Sequence, residues 1–390
     1  MSGRIIFCCD LPFPRGNAGA NRVYYVAKAL AAAGREVVVL ARSTIPNQKV
    51  KDVFGGINYI GLPVRNGKLG RLLDEKIFNG RKMVKLLKEM PLKHGDVVYL
   101  YANSAMFVYP VMRFCQRQGI KMYLDVVEWH QAFQYNQGRF SLRFKVLDYT
   151  FSQLAPRIGN IVAISNCISE HFMDLGCVAH VVPTLTDMTV VTSEPSDSGC
   201  EKETYDLIYP GIPFTKDDIE VMLEALLVLP EHVRRRIRFH STGIPRERLE
   251  RFLGKKSFLL DKLNDVFCIH GFMPYDDLEK LYHKMDFLLL SRYENLVNHA
   301  NFPSKLPELM ARGIIPIGNR VGDYHLCLTD DVNAFLFEKD DAHECANAIL
   351  RAVSNPWKKI YAMKASAQKC AEKHWDYRHW SQRLSEFIQM

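Results

Sequence analysis

The sequence predicts an α/β protein made of two doubly wound parallel-sheet domains. Three observations carry that reading. Short β-branched runs alternate with helical periodicity along most of the chain, as expected for strands buried on both faces by crossover helices. Its 390 residues exceed one ordinary core and suit two domains of about 150 to 200 residues each. A polar stretch near the middle, VTSEPSDSGCEKET, has neither periodicity and reads as a linker.

In chain order, RIIFCC reads as a buried strand. GANRVYYVAKALAAAG is a helix with Val23, Val26, Ala27 and Leu30 on one face and Gly34 at its end, and EVVVLAR is the next strand. DVVYLYA, IKMYLDVV and NIVAIS continue the alternation to HVVPT. Beyond the linker come strand YDLIYPG, helix DDIEVMLEALLVL with Ile219, Met222, Leu226 and Leu229 on one face, and strands RIRFHSTG and VFCIHG. Helix YDDLEKLYHKM, strand DFLLLS, helix PSKLPELMARG and strand IIPIGN follow. The tail from Asn355 reads as helix with a break near His374 to Asp376. The expected domains are 1–185, a linker at 186–204, a second domain at 205–370, and a last helix, 371–390, packing back on the first domain. Two such domains facing a central cleft place the C-terminal ends of both sheets, where ligands bind, on the loops that follow the strands.

Composition, with 48% apolar and 24% charged residues and no low-complexity tract, is that of a globular protein. The start, MSGRIIFCCDLPFP, reaches Asp10 after a short apolar run and reads as neither signal peptide nor spanning segment. A cytoplasmic protein is expected, at most peripheral to the inner face of a membrane. Ten cysteines without a C-x-x-C pair, among them Cys8, Cys9, Cys115 and Cys268 in apolar stretches, read as reduced buried thiols.

Charge is unevenly divided. Residues 1–185 hold 24 Lys and Arg against 12 Asp and Glu, whereas the remainder holds 27 against 31. Nine of the basic residues fall between Arg65 and Lys93, interleaved with Leu73, Ile77, Val84 and Leu87 at helical spacing. Such a helix suits an anionic membrane or acidic ligand, or is a solvated face over a core stripe. Nucleic acid is not an expected partner, because no RRM or helix-turn-helix pattern accompanies the charge.

Four loops carry candidate chemistry. In DLPFPRGNAGANR, Gly16 and Gly19 allow close backbone approach ahead of a helix N-terminus, a place for phosphate. In DVVEWHQAF, Asp125, Glu128 and His130 gather at a strand end, where His130 can bond a hydroxyl or leaving group and Glu128 can accept a proton. In YPGIPFTKDDIE, Lys216 offers a point charge, and Asp217 and Asp218 read as cap and first-turn residues. In SRYENLVNHANFPSKLPE, Arg292 and Glu294 leave a strand, Asn301, Ser304 and Lys305 enter a helix, and Glu308 lies one turn beyond Ser304. A helix N-terminus with Lys305 suits a diphosphate and an acceptor-only carboxylate suits ribose hydroxyls, so a nucleotide-activated compound is the expected ligand. No D-x-D pair or His/Cys cluster suggests a metal, and no cofactor is expected.

The chain resembles the retaining glycosyltransferases of the GT-B fold, and within them the family 4 group that builds bacterial polysaccharides and glycolipids. GANRVYYVAKALAAAGREVVVLAR, NIVAISNCISEHFMDLG, DLIYPGIPFTKDDIEVMLEAL, VFCIHGFMPYDDLEKLYHKMDFLLLS and FPSKLPELMARGIIPIGN carry the resemblance, in the expected order. It implies a GT-B fold, Lys216 on the donor diphosphate, Glu308 on the nucleotide ribose, Gly19 beside the donor phosphates and the amides of Ser304 to Leu306 cradling them. His130 falls near the histidine that approaches the transferred sugar. Two positions depart from the pattern: Ala300 stands where the family often has a first glutamate, and Ile212 where an arginine commonly follows the loop glycine. Arg292 supplies a replacement cation, and Glu294 or Asn301 meets the donor sugar. The implied activity is metal-independent, retaining transfer from a nucleotide sugar to a saccharide or lipid-linked acceptor, with residues 65–93 on an anionic membrane. A GT-B nucleotide-sugar epimerase and a catalytically silent nucleotide-sugar or membrane-binding subunit are the alternatives.

Overall fold

The computed structural model describes residues 3–14, 17–190, 202–213 and 215–389. The chain divides into two compact units, one of Met1–Leu185 with Tyr377–Met390 and the other of Thr186–Asp376. Most of the expected linker, 191–201, lies outside the described residues, as does Gly16.

The first unit holds an eight-stranded sheet in the order β3-β4-β2-β1-β5-β6-β7-β8. The strands are β1 (Ile5–Pro12), β2 (Val37–Arg42), β3 (Val50–Phe54), β4 (Ile57–Leu62), β5 (Val97–Tyr101), β6 (Lys121–Val126), β7 (Asn160–Ala163) and β8 (Val178–Val181). All pairs are parallel except β3 with β4. The β3–β4 hairpin adds an edge that alternation of long strands and helices does not announce, since Lys51 and Asp52 interrupt the apolar run. Central β1 buries Ile5 to Cys9 completely because helices cover both faces of the sheet. Cys8, Cys9 and Cys115 are buried thiols held in no disulfide, whereas Cys268 is only half-buried.

Helix α1 (Ala18–Ala32) buries Val23, Val26, Ala27 and Leu30, the stripe its spacing predicts. Asn17 caps it by accepting from Ala20 N–H at 2.8 Å. The final helix, Ser381–Gln389, packs on α1, placing Leu384, Phe387 and Ile388 in the same apolar cluster as Val23 and Leu30. Tyr123 donates its hydroxyl to Phe387 O at 3.0 Å. The helix that precedes it, Trp357–Trp375, stays with the second unit, so the crossing falls at Asp376–Tyr377 and not at the expected 371.

The basic segment folds as α2 (Lys68–Leu73), a π-helical stretch at Asp74–Phe78 and α3 (Asn79–Glu89). This corrects the predicted apolar stripe. The wider π turn changes the phase of the following helix, so Met83, Leu86 and Leu87 are buried while Ile77 is exposed. Asp74, fully buried, accepts from Arg65 N–H at 2.8 Å and pairs with Lys82 at 2.9 Å, which takes Lys82 out of any solvent-facing basic patch. Gly80 lets α3 lie against α4 (Ala105–Gln118), for a Cβ there would meet Met106 O at 2.6 Å.

The second unit has a six-stranded, fully parallel sheet in the order β11-β10-β9-β12-β13-β14. Its strands are β9 (Tyr205–Pro210), β10 (Ile237–Thr242), β11 (Phe267–Ile269), β12 (Phe287–Leu290), β13 (Ile315–Asn319) and β14 (Phe335–Phe337). The chain winds outward from β9 to β11, then returns to the other side of β9 at β12. Connections therefore diverge between β9 and β12, and such a switch point is where open α/β sheets bind ligands.

Candidate functional site

The loops leaving β9 and β12 are zipped together at the switch point. Asp218 N–H donates to Ser291 O at 2.8 Å and Tyr293 N–H to Lys216 O at 3.3 Å. Asn298, wholly buried, donates through Nδ2 to both Lys216 O at 2.7 Å and Tyr293 O at 2.8 Å. Lys216 is thereby fixed beside Arg292, although 75 residues lie between them. Asp218 caps the helix Ile219–Val228 by accepting from Val221 N–H at 3.1 Å. Asp217 is therefore not the cap, and Asp218 not the first-turn residue, that their order in the sequence suggested. Asp217 lies ahead of the cap, accepts from the Tyr209 hydroxyl at 2.8 Å and pairs with Arg292 Nε at 3.3 Å.

Arg292 is 1% exposed. Its Nη2 donates to Asn301 Oδ1 at 3.0 Å, and Asn319 brackets its backbone, accepting from N–H at 2.9 Å and donating to O at 2.7 Å. Buried Nη1 has no acceptor among the described residues. A guanidinium so placed is costly to bury with a donor unmet, and an anionic oxygen is the partner that its charge favours most.

Glu294 and Asn301 part company. Glu294 is exposed and bonded to His299 at 2.5 Å, whereas Asn301 is buried against the guanidinium. Ala300, at the position of the missing carboxylate, is fully buried at the end of the Leu296–His299 helix. Ser304 precedes the helix Lys305–Ala311 without a side-chain capping bond. Leu306 N–H is spent on Pro303 O at 3.1 Å, so this amide does not stand open as the predicted cradle requires. Glu308 lies in the first turn and pairs with Lys305 at 3.1 Å. Its carbonyl accepts from Arg312 Nη1 at 2.6 Å while Arg312 Nη2 and Nε grip Glu279 at 2.6 and 3.2 Å. Tyr282, whose buried hydroxyl has no partner among the described residues, lies under Arg312. Burial, reinforced by the Glu308 charge, pushes that phenol up.

In the first unit, β6 ends in a pocket of about 170 Å³ lined by Asp10, Tyr101, Asn103, Glu128 and His130. His130 Nε2 lies 3.3 Å from Glu128 and Nδ1 lies 3.0 Å from the Tyr135 hydroxyl. Asp125 borders the same pocket, but it is held by the buried Arg22 guanidinium at 2.8 Å and the Tyr99 hydroxyl at 2.7 Å. Structural pairing, not a ligand, accounts for that carboxylate. Gly19 sits in the first turn of α1, and a Cβ there would meet the Tyr101 hydroxyl at 2.9 Å. Packing against Tyr101 therefore already demands glycine there.

Sequence reasoning missed Asn298, Asn319, Arg312 and the pairing of Asp217 with Tyr209 and Arg292. Only the one polar residue at a strand end in IGN gave a signal for Asn319; each of the others also holds a partner distant in sequence, Lys216 for Asn298, Glu279 for Arg312 and Arg292 for Asp217. Among the described residues no group of three or more His, Cys, Asp or Glu could hold a metal ion, and no helix is long and apolar enough to cross a membrane.

Residues 192–370 match the family model described as Glycosyl transferases group 1. No curated protein matches the sequence. Among solved structures, Anabaena HepE in complex with UDP is 16% identical, with 98% of both chains covered and a TM-score of 0.67. Sucrose-phosphate synthase from Thermosynechococcus elongatus is also 16% identical, with 99% and 98% covered and a TM-score of 0.70. WaaG, a glycosyltransferase involved in lipopolysaccharide biosynthesis, is 16% identical over 98% and 99% at a TM-score of 0.66. At this identity the likeness establishes the fold, which is GT-B.

Proposed function

With a glycosyl transferases group 1 domain as its second half, we propose that the chain is a retaining, metal-independent glycosyltransferase that moves a sugar from a nucleotide-sugar donor to a saccharide or lipid-linked acceptor. The observation that carries this reading is the buried Arg292, fixed beside Lys216 at the switch point with Nη1 unmet among the described residues. Two cations at that point suit a diphosphate. HepE, of the same fold, takes UDP, and WaaG acts in lipopolysaccharide synthesis.

In the proposed reaction the diphosphate departs as positive charge grows on the sugar carbon, and the acceptor oxygen attacks from the face the diphosphate leaves. Lys216 and Arg292 stabilise the leaving charge in a site whose donors are already oriented, so little reorganisation is needed at the moment of reaction. Glu308 accepts from the ribose hydroxyls after releasing Lys305. Asn301, not Glu294, meets the donor sugar, because Asn301 is fixed on the guanidinium and Glu294 faces solvent. Ser304 and the amide of Lys305 complete the phosphate contacts. In the first unit, which takes the acceptor, His130 is held by Tyr135 and Glu128 and serves the transfer there. The protein works in the cytoplasm, with the basic α2–α3 face on an anionic membrane.

Turnover of UDP, GDP and dTDP sugars with extracted lipid acceptors tests this reading. Transfer by wild type and its loss in Lys216→Ala is the expected result. Release of an isomerised nucleotide sugar without transfer, or no turnover at all, overturns it.

A further inference from the structure

Helix α5 (Leu142–Tyr149) has two lined faces. Leu147 and Asp148 border the His130 pocket, while Lys145, Val146 and Tyr149 line a second, wider groove of about 640 Å³. The other walls come from Met106 and Tyr109 of α4, and from Ile77 in the π stretch with Arg81 of α3. On α5, Leu142, Lys145, Val146 and Tyr149 fall at i, i+3, i+4 and i+7. Apolar residues at that spacing, here Leu142, Val146 and Tyr149, ordinarily face a core, yet Leu142 is 69% exposed and Phe140, just before it, is 84% exposed. The volume falls within the usual range of about 300 to 1,000 Å³ for small-molecule sites.

We propose that this groove takes the apolar chain of a lipid-linked acceptor, with Lys145 and Arg81 meeting the phosphate that joins chain to saccharide. The inference rests on the glycosyltransferase reading and narrows its acceptor from any saccharide to an anionic, lipid-linked one. Three features select this occupant. The walls are apolar and carry two cations and no carboxylate, which matches a chain ending in phosphate. A second copy of the chain would bring another basic first unit against them, since residues 1–185 hold 24 Lys and Arg against 12 Asp and Glu. One helix, about 10 Å across, separates the groove from the His130 pocket, so a chain seated in the groove holds a saccharide within reach of His130.

The probe is decyl phosphate, below its micelle concentration, titrated by calorimetry into wild type, Val146→Glu and Met106→Glu, with UDP, GDP, CMP and dTDP titrated into the same samples. Both substituted side chains are at least partly exposed, and unchanged nucleotide binding reports an intact fold. Wild type is expected to bind decyl phosphate, and each variant to weaken it about tenfold or more, since each places a charge where apolar chain is buried. Decyl glucoside, lacking phosphate, is expected to bind more weakly than decyl phosphate to wild type and equally to Lys145→Gln. Nucleotide binding without decyl phosphate binding, or decyl phosphate binding indifferent to Val146→Glu and Met106→Glu, overturns the groove assignment and leaves the transferase reading standing. Decyl phosphate binding in a chain that takes no nucleotide overturns the acceptor assignment together with that reading. Loss of phosphatidylglycerol vesicle binding in the variants with unaltered decyl phosphate affinity assigns the groove to the bilayer. Conversion of a dimer to monomer by Val146→Glu assigns it to a second copy. Either of these also overturns the proposal.

Discussion

Asn298 shows how one buried side chain can set the geometry of a site. Its amide donates to two carbonyls on two loops. Asn298→Ala removes one donor from each carbonyl, leaving Lys216 O the longer bond from Tyr293 N–H at 3.3 Å, and is expected to cost the second unit about 2 kcal/mol, read as a lowered melting temperature, together with weaker nucleotide binding. Asp340 carries a pH dependence. Burial, with Asp218 alongside, pushes its carboxyl up to about 6 although the Ser291 hydroxyl donates to it at 2.5 Å. The folded chain thus holds this proton more tightly than the unfolded chain. Ionising Asp340 costs stability, a penalty absent below about pH 4 and fully present above about pH 6. Asp340→Asn is therefore expected to raise the melting temperature relative to wild type at pH 7.5, and the difference is expected to shrink toward pH 4. An equal difference at both pH values would contradict the assignment. At this scale the sequence singles out Lys216 and Arg292 as charged residues on loops after parallel strands, and the structure ties those two loops together. The pairings of Asp217 and Asn298 were not legible, because their partners lie up to 82 residues away and no local pattern records that proximity.

Elements were more legible than their phases. Strand and helix alternation located β1, α1, β9, β12 and the helix Ile219–Val228, all of which have uninterrupted periodicity. The β3–β4 hairpin and the π stretch escaped, one for its charged edge strand and the other because an extra residue in a helical turn leaves no compositional trace. That turn matters to membrane contact: Lys82 belongs to Asp74, whereas Lys85 and Lys88 are exposed. Lys85→Glu with Lys88→Glu is expected to reduce sedimentation with phosphatidylglycerol vesicles at low salt, where screening is weakest. Unaltered sedimentation would remove α3 from the membrane reading.

The chain as a whole is two units crossed twice, and each has its own core. Phe387, 3% exposed, belongs by packing to the first unit though it lies almost at the chain's end, a connection the sequence suggests only through the apolar spacing of its last helix. Phe387→Ala is expected to destabilise that unit by about 3 to 5 kcal/mol, seen as an earlier melting transition, while nucleotide affinity is retained. Weakened nucleotide binding would mean that the donor site is not confined to the second unit.

The most direct test of the central claim is calorimetric titration of UDP, GDP, CMP and dTDP into wild type and Glu308→Ala. One of the four is predicted to bind wild type and to lose most of its affinity when the carboxylate is removed. Binding of none, or binding that Glu308→Ala leaves intact, would contradict a nucleotide-sugar site at Lys216, Arg292 and Glu308.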